Sequence, residues 1–157
     1  MTRLRGRSPR GQRLRSSCPH GHWHTTTVIG AVRVDGTTAC MAIEGATDTE
    51  VFRAYVSDVL LPVLRPGDLV VMDNLAPHKN EHTIALIEAA GAQVAFLPAY
   101  SPDLNPIELM WSKVKAALRA AEARTHEDLL NALARALDSI SSSDARNWFA
   151  HCGYNFI

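Results

Sequence analysis

The sequence has few cysteines, no long apolar run and no acid near its beginning. Three cysteines among 157 residues are an odd number and too sparse for a disulfide framework. No apolar run approaches the roughly 18 residues that a membrane span needs. The basic N-terminus also lacks the apolar segment of a secretion signal. These absences argue against a disulfide-rich secreted module and a membrane protein, and they predict a cytoplasmic chain.

Charge is distributed unevenly, although the net charge is zero. Residues 1–34 contain seven arginines and no acid. The rest of the chain has nine basic residues and all 16 acids, so its net charge is −7. We call residues 1–24 the arm; its glycines and prolines predict turns and extended backbone. Such a segment suits phosphate contacts that give affinity without sequence readout. A disordered solubilising tail is the alternative. The predicted DNA-binding residues of the arm are Arg3, Arg5, Arg7, Arg10, Arg13 and Arg15.

The arm also holds Cys18 beside three alternating histidines, His20, His22 and His24. A zinc site is conceivable there. However, the spacing matches none of the usual paired-ligand patterns, and a second pair is missing apart from His151-Cys152. The spacing therefore favours histidines that are solvated or that face phosphates.

Residues 25–157 predict one mixed α/β domain with a modest core. A hairpin is indicated by two apolar, β-branched segments that flank the tight turn Asp35-Gly36. Helical and strand patterns then alternate along the chain. The remaining predicted elements are a helix over 48–64, a buried strand over 69–72, a helix over 81–90, a strand over 93–97, helices over 105–123 and 125–140, and a short final helix capped by Asp144.

Two acids stand where elements begin or end. The apolar run Leu69–Met72 predicts a strand that stops at Asp73, and an acid at that end lies at the rim of an α/β sheet. Glu108 follows Asn105 and Pro106 at the start of a helix, with 34 residues between the two acids. That length accommodates a helix, a strand and a loop, so the carboxylates can converge. The alternatives are that Asp73 caps a turn and that Glu108 forms a capping box with Asn105.

The acid-ended strand, the loop Pro98–Pro102 and the sequence Asn-Pro-Ile-Glu over residues 105–108 resemble the IS630/Tc1/mariner group of DDE transposases. The resemblance implies an RNase H-like core, with a mixed sheet flanked by helices. It implies that Asp73 and Glu108 are catalytic and bind Mg²⁺ or Mn²⁺ in a two-metal site. DNA is the implied partner, both as transposon ends and as target, with a homo-oligomer assembled on it.

One departure from this family concerns its first acid. Family members carry a first Asp on the first strand of the sheet, upstream of a basic turn rich in glycine and proline, and this chain begins at that turn. The resemblance therefore implies a core that lacks its first strand, and an incomplete or inactive copy of a transposase. The alternatives are a non-catalytic DNA-binding or subunit-interaction remnant and a general RNase H-like nuclease.

Lesser candidates surround the two acids. Asn74, His78 and Asn105 could line the site, although His78 could equally cap the following helix. Lys115 and Arg119 follow Glu108 at helical spacing and could guide a DNA backbone towards the acids. A solvated helix face explains these two basic residues equally well.

Overall fold

The computed structural model describes residues 6–15 and 25–154, and their strands form two separate two-stranded sheets. The strands are β1 (Thr26–Val32), β2 (Thr38–Glu44), β3 (Leu69–Met72) and β4 (Gln93–Phe96). The α-helices are α1 (Thr49–Tyr55), α2 (Glu81–Ala89), α3 (Pro106–Ala121), α4 (His126–Asp138) and α5 (Ser142–His151). The predicted mixed α/β class and the predicted order of elements are confirmed.

The predicted hairpin is present as the antiparallel pair β1–β2, in which Val32 lies opposite Thr38. Its turn is closed by Arg33 N–H donating to the Thr37 carbonyl at 2.8 Å. Gly36 has a φ of 94°, which favours glycine. A Cβ at this position would also lie 2.9 Å from the Ser142 nitrogen, so the turn packs closely against the start of α5.

The second sheet is the parallel pair β3–β4, connected through α2, and it positions the first acid. Met72 lies opposite Phe96, and Leu97 N–H donates to the Met72 carbonyl at 2.8 Å. The carboxyl ends of both strands therefore lie side by side, immediately before Asp73. The predicted full burial of β3 is wrong: Met72 is buried but Leu69 is exposed, because β3 has only β4 beside it among the described strands.

The two sheets share one core and are joined by an ion pair. Phe52, Tyr55 and Val56 are buried between them, with Ile29 from β1 and Val70 from β3 packed against this cluster. No backbone pairing links β1 to β3 within the described ranges. These two strands are instead connected by the ion pair between Arg33, which follows β1, and Asp68, which precedes β3.

Helix α3 packs between the first sheet and α4. Its buried residues Met110, Val114 and Leu118 contact the buried face of α4. Trp111 lies over Gly30, where an added Cβ would be 3.1 Å from the indole. Ala121, the last residue of the helix, is exposed.

Two further predictions about helices need correction. The predicted helix over 48–64 is α-helical only to Tyr55 and then continues as a π-helical turn (Val56–Leu60) and a 3-10 turn (Leu61–Val63). Pro62 has no N–H to continue the α-helical pattern there. The cap of α5 is Ser141, and Asp144 is the third residue of a reciprocal capping box. None of the described helices is both long and apolar enough to cross a membrane.

Candidate metal and nucleic-acid site

A cleft of about 350 Å³ opens where β3 and β4 end. Its walls come from residues 73–75 after β3, residues 97–102 after β4, and the start of α3. Asp73 lines one wall and Glu108 another, although 34 residues separate them in sequence. The fold thus brings the two predicted acids into one cleft.

Asp73 uses one carboxylate oxygen within the protein and leaves the other open. Its Oδ1 accepts a hydrogen bond from the Leu75 N–H at 3.1 Å. The alternative that Asp73 caps a turn is therefore confirmed for this oxygen. The side chain is 45% exposed, and no described residue donates to Oδ2. A carboxylate held at one oxygen and open at the other is suited to bind a cation.

His78 lies behind Asp73 rather than in the cleft. Its Nδ1 is 2.7 Å from Asp73 Oδ1, and its ring centroid is 4.4 Å from that of Phe52. This nitrogen is buried, and the contact lacks the alignment of a hydrogen bond, so proximity and packing define it. The helix-capping alternative for His78 is wrong, since Asn80 caps α2 by accepting from the Thr83 N–H at 3.1 Å.

Glu108 occupies the third position of α3 without being used as a cap. Asn105 has the extended backbone of an N-cap residue, but its side chain makes no capping hydrogen bond. The capping-box alternative is therefore wrong. Glu108 is exposed, and its carboxylate accepts no hydrogen bond from any described residue.

Asn74 and Asn105 both lie on the cleft wall. The Asn74 side-chain Nδ2 donates to the Leu97 carbonyl at 2.6 Å, which ties the end of β3 to the end of β4. Asn74 therefore holds the two strand ends in register beside Asp73. Asn105 is half-buried at the start of α3.

The donors in the cleft fit a hard divalent cation in kind but are few in number. Mg²⁺ and Mn²⁺ prefer carboxylate and water oxygens, and Asp73 and Glu108 offer these. Among residues 6–15 and 25–154, however, no group of three or more His, Cys, Asp or Glu side chains could hold a metal ion. Asp73 and Glu108 are thus the two carboxylates that line the cleft.

The predicted basic contacts lie away from the cleft lining. Lys115 is exposed and Arg119 half-buried on α3, and neither lines the cleft. In the arm, residues 6–15 are all exposed and form a turn in which Gln12 N–H donates to the Pro9 carbonyl at 3.0 Å. This segment includes four of the predicted arginines, Arg7, Arg10, Arg13 and Arg15.

Some predicted residues lie outside the described ranges. They are Arg3, Arg5 and the candidate zinc ligands Cys18, His20, His22 and His24. Of the second pair considered for zinc, Cys152 is buried and His151 is exposed.

Two residues of the cleft were not predicted as site residues. Leu75 and Tyr100 are large apolar side chains that line the cleft and are nevertheless exposed. Tyr100 lies between Pro98 and Pro102 in a segment where proline marks a rigid loop. Only the prolines could have drawn attention to it.

The family model described as "DDE superfamily endonuclease" matches residues 1–130 of the chain. The matched region includes the arm, both sheets, both acids and the whole of α3. Comparison with curated proteins gives no match.

Proposed function

Since the chain belongs to the DDE superfamily endonucleases, we propose that it provides Asp73 and Glu108 to a metal-dependent site for DNA cleavage and strand transfer, in a transposase of the IS630/Tc1/mariner type. The observation that carries the proposal is the shared cleft. One acid follows a parallel strand, the other begins α3, and both line the same opening at the end of the sheet.

Different residues of the chain would bind the cation and orient its ligands. Asp73 Oδ2 and the Glu108 carboxylate would hold Mg²⁺ or Mn²⁺. The Leu75 N–H holds the other oxygen of Asp73, and His78 packs beside that oxygen. Divalent ions held there would supply activation of a water or a 3′-hydroxyl and stabilisation of the leaving oxygen at phosphorus.

The third acid would come from a strand between the two sheets. β1 and β3 are each paired along one edge only among the described residues, and both pack on the same core. In an RNase H-like arrangement a strand in that place would end beside Asp73. Its backbone would also satisfy the open N–H and C=O groups of both edges.

DNA contact would be electrostatic along the arm and along α3. The exposed arginines of the arm and Lys115 would bind phosphates and orient the duplex without reading its sequence. We further propose that the protein acts as a homo-oligomer assembled on transposon ends.

A strand-transfer assay with a complementing peptide tests this function. The chain is incubated with Mn²⁺, labelled DNA ends and an apolar strand peptide that ends in Asp; the matched control is the same peptide ending in Asn. We expect joined products only with the Asp peptide, and their loss in Asp73→Asn and Glu108→Gln but not in Glu127→Gln on α4. Activity that survives both acid substitutions would contradict the proposal. Hydrolysis of DNA without joining would favour a general nuclease.

The second candidate function is a DNA-binding or subunit-interaction protein without catalysis. It is favoured by one observation: among the described residues, no group of three or more His, Cys, Asp or Glu side chains could hold a metal ion. This function predicts DNA binding without cleavage at any metal concentration, with or without the Asp-ended peptide.

A further inference from the structure

Tyr100 is the most exposed large apolar side chain among the described residues, with its whole surface open to solvent. Its backbone has a φ of 57°, in the left-handed region that bulky residues rarely adopt. The only other described non-glycine residue with positive φ is Glu122, at the end of α3, where that conformation is common. An aromatic ring at Tyr100 therefore has a strained backbone and no burial to compensate for it.

The loop around Tyr100 is held from both sides. Pro98 and Pro102 restrict its backbone, and Leu104 N–H donates to the Ser101 carbonyl at 3.2 Å. The Tyr154 hydroxyl donates to the Leu104 carbonyl at 3.0 Å, which anchors the end of the loop to the segment after α5. The ring is thus presented to solvent by a fixed loop, at the opening of the cleft that contains the acids.

The cleft has both charged and apolar surface, and the two lie in different parts of it. Asp73 and Glu108 repel phosphate unless a cation lies between, whereas Tyr100 and Leu75 present uncharged surface on the walls. A ligand that fits both parts carries a phosphate for the metal-bearing acids and a flat uncharged group for the ring. A nucleotide has this composition, and base stacking on aromatic rings is a common mode of binding single strands.

We propose that Tyr100 stacks on an unpaired nucleobase next to the phosphate held at the two acids. The inference rests on the proposed function, because it places the DNA in the same cleft. It adds a binding residue that recognises unpaired rather than fully paired DNA. A ring in this position selects distorted or opened ends without reading their sequence, since every base has an aromatic face.

The alternative use of this surface is a protein contact. Four exposed apolar side chains lie between residues 75 and 104, namely Leu75, Phe96, Tyr100 and Leu104. Exposed apolar patches often mark protein interfaces. However, only Leu75 and Tyr100 of these four line the cleft with the acids, which favours the nucleobase. A protein interface would depend on Phe96 and Leu104 as well.

The test uses the full chain and two otherwise identical duplexes, one of which carries an unpaired 2-aminopurine near its end. Binding is followed by fluorescence anisotropy, and stacking by quenching of 2-aminopurine. We expect about tenfold tighter binding of the unpaired duplex, lost in Tyr100→Ala and Tyr100→Gly and retained in Tyr100→Phe. Leu130→Ala, an exposed position on α4, is the matched control.

The glycine variant separates binding from folding. Tyr100→Gly relieves the left-handed backbone and should be at least as stable as the wild type while losing the preference for unpaired DNA. An unchanged preference in Tyr100→Gly would overturn the inference and leave the proposed function standing. If the wild type binds neither duplex, both fail. If Phe96→Ala, Tyr100→Ala and Leu104→Ala reduce self-association but leave the preference for unpaired DNA unchanged, the surface is a contact between copies and the inference is wrong.

Discussion

Arg33 and Asp68 form a two-point ion pair between strands that are not hydrogen-bonded to each other. The Arg33 Nη1 lies 2.6 Å from Asp68 Oδ1, and Nη2 lies 2.5 Å from Oδ2. Arg33 follows β1 and Asp68 precedes β3, so the pair joins the end of one sheet to the start of the other. Arg33 Nη2 also donates to the Val63 carbonyl at 3.0 Å. These contacts fix the relative position of the sheets, and thereby of Asp73.

The ion pair predicts a loss of stability at acid pH. The hydrogen bonds from Arg33 are the largest cause that lowers the pKa of Asp68, to about 2. Because the folded pKa lies below the unfolded value, the stabilisation is present above about pH 4 and is lost as the pH falls towards 2. We expect Asp68→Asn to cost about 1–2 kcal/mol in the free energy of unfolding at pH 7, since one charged partner is lost from a half-buried pair.

Urea denaturation between pH 2 and pH 7 measures this contribution. The difference in unfolding free energy between wild type and Asp68→Asn should shrink between about pH 4 and pH 2. The pKa of Asp144 is also lowered, chiefly by Lys113. This contribution to stability is present in both proteins and therefore cancels in the difference between them. Asp58→Asn, on the exposed side of the π-helical turn, is the matched control and should show no such change. A difference independent of pH would contradict the role given to the pair.

Substitution of His78 should weaken metal binding through Asp73. His78 contacts Asp73 Oδ1, whereas the cation is proposed to bind Oδ2, and neighbours of a ligand typically contribute about 10- to 100-fold in metal affinity. We expect His78→Ala to weaken Mn²⁺ binding by about tenfold, as measured by electron paramagnetic resonance. Phe52→Leu, which disturbs the packing of the same ring, should lower stability without this change in affinity. Equal Mn²⁺ affinities of His78→Ala and wild type would show that His78 is a packing residue only.

The arm should determine how DNA binding depends on salt. Each phosphate contact releases about one counterion, so replacing the six arginines between Arg3 and Arg15 by glutamine should flatten the slope of log affinity against log salt. Arg146→Gln, at an exposed position on α5, is the control. Its change in slope is compared with the change per arginine in the arm variant. An unchanged slope in the arm variant would identify the arm as a tail that does not contact DNA.

Local patterns were sufficient to predict the elements that position the acids. The apolar run before Asp73 predicts β3, the turn at Asp35-Gly36 predicts the hairpin, and Pro106 after Asn105 predicts the start of α3. Each depends on short-range preferences of the backbone, which the sequence carries directly. The boundaries of the strands differ by one or two residues because strand ends have no such fixed signal.

Long-range contacts could not be predicted in the same way. Arg33 and Asp68 are 35 residues apart, and nothing in the spacing of charges identifies them as partners. Asn105 and Pro106 favour a capping box locally, but Asn105 lines the cleft and makes no capping hydrogen bond. Tyr100 is fully exposed and has a positive φ, which an aromatic residue rarely adopts. These features are set by tertiary structure rather than by local sequence.

The central claim is that Asp73 and Glu108 bind the same divalent ions, and a double-mutant cycle of Mn²⁺ affinity tests it most directly. Mn²⁺ binding is measured by isothermal titration for the wild type, Asp73→Asn, Glu108→Gln and the double variant, with Glu127→Gln as the control. If both carboxylates hold one site, each single substitution should weaken binding at least tenfold, and the double variant should lose much less than the two losses combined. Independent losses that simply add, or wild-type affinity in either single variant, would contradict a shared metal site in this cleft.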